Sequence, residues 1–90
     1  MKKIARRQLY DQVKSRDGHA CRMCATTLRL TIHHIVPKSS GGKDEKENLI
    51  VLCEPCHVDT HRAYSIGFVC PDTFQGYLEA MRITNDVDVG

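Results

Sequence analysis

Four of the five cysteines fall into two Cys-x-x-Cys pairs, and this spacing constrains the fold of a 90-residue chain more than any other feature. The pairs are Cys21 with Cys24 and Cys53 with Cys56. Thiolates three positions apart in a tight turn can face one ion, and two such turns complete the tetrahedral sulfur shell that zinc prefers. A domain this small gains limited stability from its core and is usually stapled by a metal, a disulfide or a partner chain. The spacing therefore predicts a structural four-cysteine zinc site.

A closed all-cysteine site has no free coordination position, so we expect this zinc to be structural. An alternative joins the first cysteine pair to His57 and His61, as in a two-cysteine, two-histidine zinc finger, but it leaves the second pair without an ion. Disulfides are a further alternative, which a reducing compartment disfavours. The fifth cysteine, Cys70, is predicted to be a small buried hydrophobic residue.

The pattern along the chain predicts a single domain over residues 1–90 with a core at about 16–62. Pro37 should end the first strand, because proline cannot donate to a strand ladder. Pro55 is compatible with the first turn of a helix. The predicted elements are a basic N-terminal helix at 1–16, strands at 28–36 and 49–52, a helix from Glu54 through Arg62 or slightly beyond, and a C-terminal helix at 71–83. Four residues of the last helix should pack in the core: Phe74, Tyr77, Leu78 and Met81.

Positive charge is concentrated at the start of the chain. The net charge of +2 divides into +6 over residues 1–30, −1 over 31–62 and −3 over 63–90. A polyanion would therefore meet the N-terminal end first. A basic helix surface that only contacts solvent is the simpler alternative.

The chain has no run of about 18 apolar residues, so the sequence predicts no membrane span. The basic N-terminus lacks the continuous apolar segment of a secretory signal. We therefore expect a cytoplasmic protein.

Histidines suggest a second metal site. His57 and His61 are four residues apart on the predicted helix and share one face, a chelating arrangement for a divalent ion. Adjacent residues of a strand point to opposite sides of a sheet, so His33 and His34 should have different roles. If His33 joins His57 as a ligand, His34 is left to accept a proton from water, a task that suits its unperturbed pKa of about 6.5. Surface histidines with no such role are the simpler alternative.

The pattern C-x2-C … HHIVPKSSGG … NL-x3-C-x2-CH-x3-H resembles the zinc-ribbon type of HNH nuclease, found in phage, restriction and homing enzymes. The resemblance covers about residues 16–62. It implies an α+β fold: a small zinc-stapled ββα-metal (HNH, or His-Me finger) domain with N- and C-terminal helices. It also implies that the helix and hairpin face the minor groove of DNA, so that six basic residues near the N-terminus would bind phosphates: Lys2, Lys3, Arg6, Arg7, Lys14 and Arg16.

The same resemblance implies roles for individual residues. His34 would be the general base, Asn48 the residue that positions the site by bonding the loop backbone or a histidine ring, and His57 a signature residue and metal ligand. His33 would be the other main ligand. In colicin-type relatives the position of His61 is occupied by a further metal ligand. In other branches of the family the residue at this position contacts phosphate.

Thr31 stands where colicin-type relatives have an acidic residue, so we expect no carboxylate support from that position. The implied activity is metal-dependent hydrolysis of DNA phosphodiester bonds, by nicking, to 5′-phosphate and 3′-hydroxyl ends. The implied partners are double-stranded DNA and a catalytic Mg²⁺, Mn²⁺, Ni²⁺ or Co²⁺. The alternative is a zinc-stapled nucleic-acid-binding or accessory module of a phage or restriction assembly that does not cleave independently. The sequence does not decide whether two chains form a homodimer.

Overall fold

The computed structural model describes residues 5–86, with side chains through residue 83. Its helices and strands are α1 (Arg6–Arg16), β1 (Leu30–His34), β2 (Leu49–Cys53), α2 (Glu54–Ser65) and α3 (Phe74–Asp86). Short 3-10 turns lie at Lys38–Ser40, Lys46–Asn48 and Pro71–Thr73. The small α+β fold predicted from the sequence is confirmed.

The two strands form an antiparallel hairpin in which Leu30 pairs with Cys53 and His34 with Leu49. Strand β1 is shorter than predicted at both ends. It starts at Leu30 because Arg29 adopts a left-handed backbone with φ of 54°, which leaves Leu28 72% exposed instead of facing the core. All five residues of β2 are buried. The hairpin therefore carries its polar site residues on β1 and its core residues on β2.

Helix α2 begins immediately after β2, with Pro55 in its first turn, where the missing N–H of proline is not needed. The helix continues through Ser65, one turn beyond the minimum that the sequence indicated. Its buried residues are Thr60 and Ala63. Because no linker separates β2 from α2, the start of the helix is held directly against the hairpin.

Two hydrophobic clusters lie on either side of the hairpin. One is built on α1 and packs Leu9 and Val13 against β2. The other packs α3 against β2 and the cysteines, with Phe74 and Leu78 almost completely buried. The predicted packing stripe of α3 is confirmed, since Tyr77 and Met81 lie against the same cluster.

The expectation for Cys70 was wrong. This residue is exposed and precedes the turn that leads into α3, where its backbone N–H donates to the hydroxyl of Thr73 at 3.0 Å. Val69, its neighbour, occupies the buried position of this segment. The expectation had rested on residue type, since free cysteines are usually buried, and the chain path places the neighbouring residue inside instead.

The loop between the strands folds back onto the end of β1 through a glycine. The N–H of Gly42 donates to the carbonyl of Pro37 at 2.9 Å. A Cβ at Gly42 would lie 1.8 Å from the carbonyl oxygen of Val36, so only glycine fits this close approach. The loop is thereby held against the segment that follows His34.

Candidate functional site

The structure brings the four paired cysteines together at one place. Their sulfur atoms all lie within 4.8 Å of one another, and all four thiols are free. The sulfurs of Cys24 and Cys53 are 3.5 Å apart, far longer than a disulfide of about 2.05 Å. Zinc–sulfur bonds of about 2.3 Å in a tetrahedron place sulfurs about 3.8 Å apart, so the cluster fits a metal ion. The alternative in which one pair shares an ion with two histidines is not what the structure shows.

Local backbone groups already favour a thiolate in this cluster. Burial raises the pKa of Cys21, but hydrogen bonds from nearby backbone N–H groups outweigh it and lower the pKa to about 7. The N–H groups of Met23 and Cys24 lie 3.3 and 3.4 Å from this sulfur. Burial raises the pKa of Cys53 and Cys56 in the same cluster. A cation would let all four deprotonate, since the thiolate is the metal-binding form.

The histidines form a second, separate cluster of possible metal ligands. His33, His57 and His61 each offer a ring nitrogen, and these atoms lie within 4.8 Å of one another. The His33 ring centroid is 5.2 Å from that of His57 and 5.8 Å from that of His61. The Nε2 atoms of His57 and His61 are 3.0 Å apart. Strand β1 and one face of α2 therefore meet at three imidazoles.

His33 is the buried member of this cluster. It is 2% exposed, with the ring 5.2 Å from that of Phe74 and Nε2 3.4 Å from the hydroxyl of Tyr64. Among the side chains that the structure describes, its Nδ1 is buried without a hydrogen-bond partner. An unsatisfied buried nitrogen is costly, and an ion coordinated there would satisfy it. The residues present thus fit a metal ion.

Burial and the neighbouring histidines favour the neutral form of His33 and His57. Burial lowers the pKa of His33 to about 3, aided by the nearby rings of His57, His61 and His34. Burial, followed by His61 and His34, also lowers the pKa of His57. Neutral imidazole is the form that binds metal.

His34 lies outside the three-histidine cluster. Its Nε2 is 2.7 Å from Oδ1 of Asp44 in the loop between the strands. The Asp44 carboxylate also lies 3.2 Å from Nζ of Lys38 and 3.5 Å from Nη2 of Arg6. The alternation along β1 thus separates the adjacent histidines, yet a charge on His34 still contributes to the lowered pKa of His33 and His57. Asp44 was not singled out from the sequence, because nothing local distinguishes it from the other charged residues of its loop.

Asn48 bonds the loop backbone, one of the two arrangements expected for it. Its Oδ1 accepts the N–H of Val36 at 2.8 Å, and its Nδ2 donates to the carbonyls of Val36 and Lys43 at 3.1 and 3.0 Å. The carbonyl of Asn48 also accepts the N–H of Ile35 at 2.9 Å. This one residue joins the end of β1 to both ends of the connecting loop.

Two hydroxyl groups lie against the clustered histidines. The Oγ1 atom of Thr31 lies 2.7 Å from Nδ1 of His57, in place of the carboxylate that the sequence lacks there. The hydroxyl of Tyr64 lies beside His33 and donates to the carbonyl of Ile35 at 2.8 Å. The i, i+7 spacing from His57 to Tyr64 is the one sequence signal for the tyrosine, since it returns to the same helix face.

The basic residues have different environments. Arg6 and Arg7 are exposed and Lys14 is half-buried on α1, whereas Lys2 and Lys3 lie outside the described residues. The guanidinium of Arg16 bonds to other parts of the same chain. Nη1 and Nη2 donate to the carbonyls of Lys46 and Leu49 at 2.7 and 2.6 Å, and Nε donates to Asp17 at 2.7 Å. Hydrogen bonding to Asp17 raises the pKa of Arg16, although burial opposes this. While those bonds hold, Arg16 has few donors left for phosphate.

A hairpin followed by a helix, with a sulfur cluster at the junction and an imidazole cluster between them, defines a metal-binding ββα domain. The family model of the HNH endonucleases matches residues 21–63. The chain belongs to this family, which is named for its endonucleases. Four of the five histidines (His33, His34, His57 and His61) and Asn48 fall inside the matched segment.

Three characterised proteins are similar to this chain. Anaredoxin from Nostoc sp. is 32% identical over 57 residues, which cover 62% of this chain and 75% of anaredoxin. The type IV methyl-directed restriction enzyme EcoKMcrA from Escherichia coli is 47% identical over 32 residues, 36% of this chain and 12% of the enzyme. Probable mobile endonuclease C from Enterobacteria phage T4 is 30% identical over 54 residues, 60% of this chain and 26% of that protein. The chain thus corresponds to most of anaredoxin and to a small part of each of the other two.

Over the part of the chain that the structure describes, none of the helices has the length and apolar character to cross a membrane.

Proposed function

We propose that this domain is a metal-dependent endonuclease that hydrolyses DNA phosphodiester bonds and leaves 5′-phosphate and 3′-hydroxyl ends. The observation that carries the proposal is that His34, paired with Asp44, directly follows His33 of the three-imidazole cluster on β1 and interacts electrostatically with His33 and His57. Hydrolysis of a phosphodiester requires a base that accepts a proton from water and a divalent ion that stabilises the developing negative charge. Family membership and the two relatives named as a restriction enzyme and an endonuclease support it.

The catalytic ion would be held by His33, His57 and His61, and the four cysteines would hold a structural zinc. A divalent cation supplies positive charge that offsets the negative charge developing on the phosphate and on the departing oxygen. Imidazole donors are softer than the carboxylates that Mg²⁺ prefers, so Mn²⁺, Ni²⁺ or Co²⁺ should support activity better than Mg²⁺ in vitro.

His34 would act as the general base. Its Nε2–H donates to the Asp44 carboxylate, which leaves Nδ1 as the ring nitrogen that can accept a proton from the attacking water. A carboxylate partner holds the tautomer and the orientation of the ring, and stabilises the imidazolium that forms. Asn48 would position this base indirectly, because it bonds the backbone on both sides of the loop that carries Asp44.

Exposed basic residues of α1 would bind DNA phosphates. Arg6 and Arg7 are exposed at the start of this helix, and Arg6 reaches the Asp44 carboxylate next to His34. The start of α1 therefore lies next to the proposed cleavage site. Phosphate contacts of this kind give sequence-independent, salt-sensitive affinity. We further propose that one chain nicks a single strand, since it carries one histidine cluster, and that paired cuts require two copies.

The test is nicking of supercoiled plasmid by zinc-loaded protein with added Mn²⁺. We expect wild type to convert supercoiled to open-circular DNA, and His34→Ala to be slower by about 10²–10⁴-fold, the usual cost of removing a general base. His57→Ala should lose both cleavage and tight Mn²⁺ binding. His19→Asn is the matched control, because it replaces an exposed histidine with φ of 54° by a residue that tolerates this backbone. Equal cleavage by wild type and His34→Ala would remove His34 from the mechanism.

A nucleic-acid-binding or accessory module without cleavage is the second candidate. It is favoured by the observation that the chain matches only 12% and 26% of the two longer nucleases. Plasmid binding by wild type with no nicking in Mn²⁺, Ni²⁺, Co²⁺ or Mg²⁺ would support this candidate over the endonuclease.

A further inference from the structure

Thr31 joins the hairpin to the histidine cluster. It lies on β1 opposite Leu52, and its Oγ1 is 2.7 Å from two other atoms: the carbonyl oxygen of Leu52 and Nδ1 of His57. One hydroxyl thus contacts both the strand that leads into α2 and the first histidine of α2. This arrangement has a chemical consequence for His57.

The proton of the Thr31 hydroxyl must lie between the two oxygen atoms. A carbonyl oxygen only accepts, and two oxygens 2.7 Å apart are repulsive unless a proton joins them. The hydroxyl therefore donates to Leu52 and can only accept from His57. It follows that Nδ1 of His57 carries the ring proton and that Nε2 carries the lone pair.

This Nε2 atom faces the metal-ligand cluster. It lies 3.0 Å from Nε2 of His61, and the cluster also contains His33. A histidine that ligates a metal ion does so as the neutral ring, with the proton on one nitrogen and the lone pair on the other. The remaining variable is which nitrogen holds the proton.

We propose that Thr31 is a positioning residue that holds His57 in the Nδ1–H tautomer, with Nε2 aimed at the divalent ion. The inference deepens the site of the proposed function and rests on it for the identity of the ion. A ligating histidine whose second nitrogen has a fixed partner loses about 10–100-fold in metal affinity when that partner is removed. A neutral hydroxyl provides this support without adding a charge to the cluster.

The first test measures the tautomer directly in zinc-loaded protein with one zinc per chain, at fixed neutral pH. Long-range ¹H–¹⁵N correlation spectra distinguish Nδ1–H from Nε2–H imidazole. We expect the Nδ1–H form for His57 in wild type and in Thr31→Ser, which keeps the hydroxyl. We expect a mixture in Thr31→Val, which preserves the shape and removes the hydroxyl. An Nε2–H ring in wild type would overturn the proposal.

The second test measures Co²⁺ affinity of the histidine cluster by its visible absorption, again in zinc-loaded protein. Thr31→Val should bind Co²⁺ about 10–100-fold more weakly, and Thr31→Ser should restore most of the affinity. Thr60→Val is the matched control: it removes another hydroxyl of α2, which donates its hydrogen bond to the carbonyl of Cys56 at 2.8 Å and not to a histidine. Affinity unchanged in Thr31→Val, or reduced as much in Thr60→Val, would contradict the proposal.

Neither measurement depends on cleavage. A protein that shows the tautomer and affinity changes but never nicks DNA would support the role of Thr31 and reject the endonuclease. A protein that nicks DNA with an unchanged tautomer and affinity in Thr31→Val would support the endonuclease and reject the role of Thr31.

Discussion

His34 and Asp44 form a hydrogen-bonded pair across the loop between the two strands, with Nε2 and Oδ1 2.7 Å apart. If the carboxylate orients this base, Asp44→Asn should lower kcat with little change in KM. The decrease in kcat should be no larger than the decrease caused by His34→Ala. That loss is about 10²–10⁴-fold for a general base. Because the two residues would act as a unit, the double variant should be no slower than His34→Ala alone. If the fold-decreases in kcat of the two single variants multiply in the double variant, Asp44 acts independently of His34.

The ionisation of Asp44 should depend on its neighbours. The N–H of His34 holds the pKa of Asp44 below its ordinary value, with Lys38 and Arg6 adding to the shift. A lowered folded pKa contributes stability that is present above the unfolded value of about 3.9 and is lost as the pH falls through the folded pKa. We expect His34→Ala to raise this pKa more than Lys38→Ala, as read from the ¹³C shift of the carboxyl carbon. A larger rise in Lys38→Ala would contradict the assignment.

Removal of the ion from the cysteine cluster should destabilise the fold. Wild type should contain about one zinc per chain, and Cys53→Ser should lose it because a closed site needs all four ligands. A loss of even 2–3 kcal/mol lowers the melting temperature of a small domain by about 10 °C or more. Cys70→Ser is the control, since this cysteine is exposed and outside the cluster. Elemental analysis and thermal melts measure both effects, and zinc retained in Cys53→Ser would contradict the four-cysteine site.

The basic residues of α1 should divide into two kinds. Arg16→Ala removes donors to the carbonyls of Lys46 and Leu49, so it should lower thermal stability. Arg7→Ala changes an exposed residue and should leave stability within about 0.5 kcal/mol. If Arg7 contacts a phosphate, its loss should reduce the slope of log affinity for DNA against log salt by about 1. Binding titrations at several salt concentrations, together with melts, distinguish these roles.

Gly42 should resist substitution, because its missing side chain lets the loop approach β1. A Cβ there would lie 1.8 Å from the Val36 carbonyl oxygen, so Gly42→Ala should destabilise the protein by about 1–3 kcal/mol. Gly76→Ala is the matched control: it lies within α3 with open space around its Cβ, and should stabilise by about 0.5–1 kcal/mol. Urea denaturation measures both changes. A neutral Gly42→Ala would show that the loop can shift to accept a methyl group.

Spacing along the chain was sufficient to predict the two cysteine turns, the hairpin and the helix with two histidines on one face. These features depend on neighbours within a few positions, and the periodicities of strand and helix are local properties of the backbone. The same logic predicted the packing stripe of α3. The prediction for Cys70 was wrong, because it rested on the usual burial of free cysteine, and the short run between Gly67 and Pro71 has no periodicity that shows which residue faces inward.

The partners of the histidines could not be read from spacing. His34 meets Asp44 because the loop folds back at Gly42, and His57 meets Thr31 because α2 starts where β2 ends. The partner of Arg16 could not be predicted from spacing either, because its guanidinium bonds a carbonyl 30 residues away in sequence. Hydrogen bonds form between groups that the whole chain path brings within about 3 Å, and that path depends on the closure of the loop and the packing of the core. Sequence thus specified which chemical groups are present, and the folded chain selected which nitrogen of each ring faces its partner.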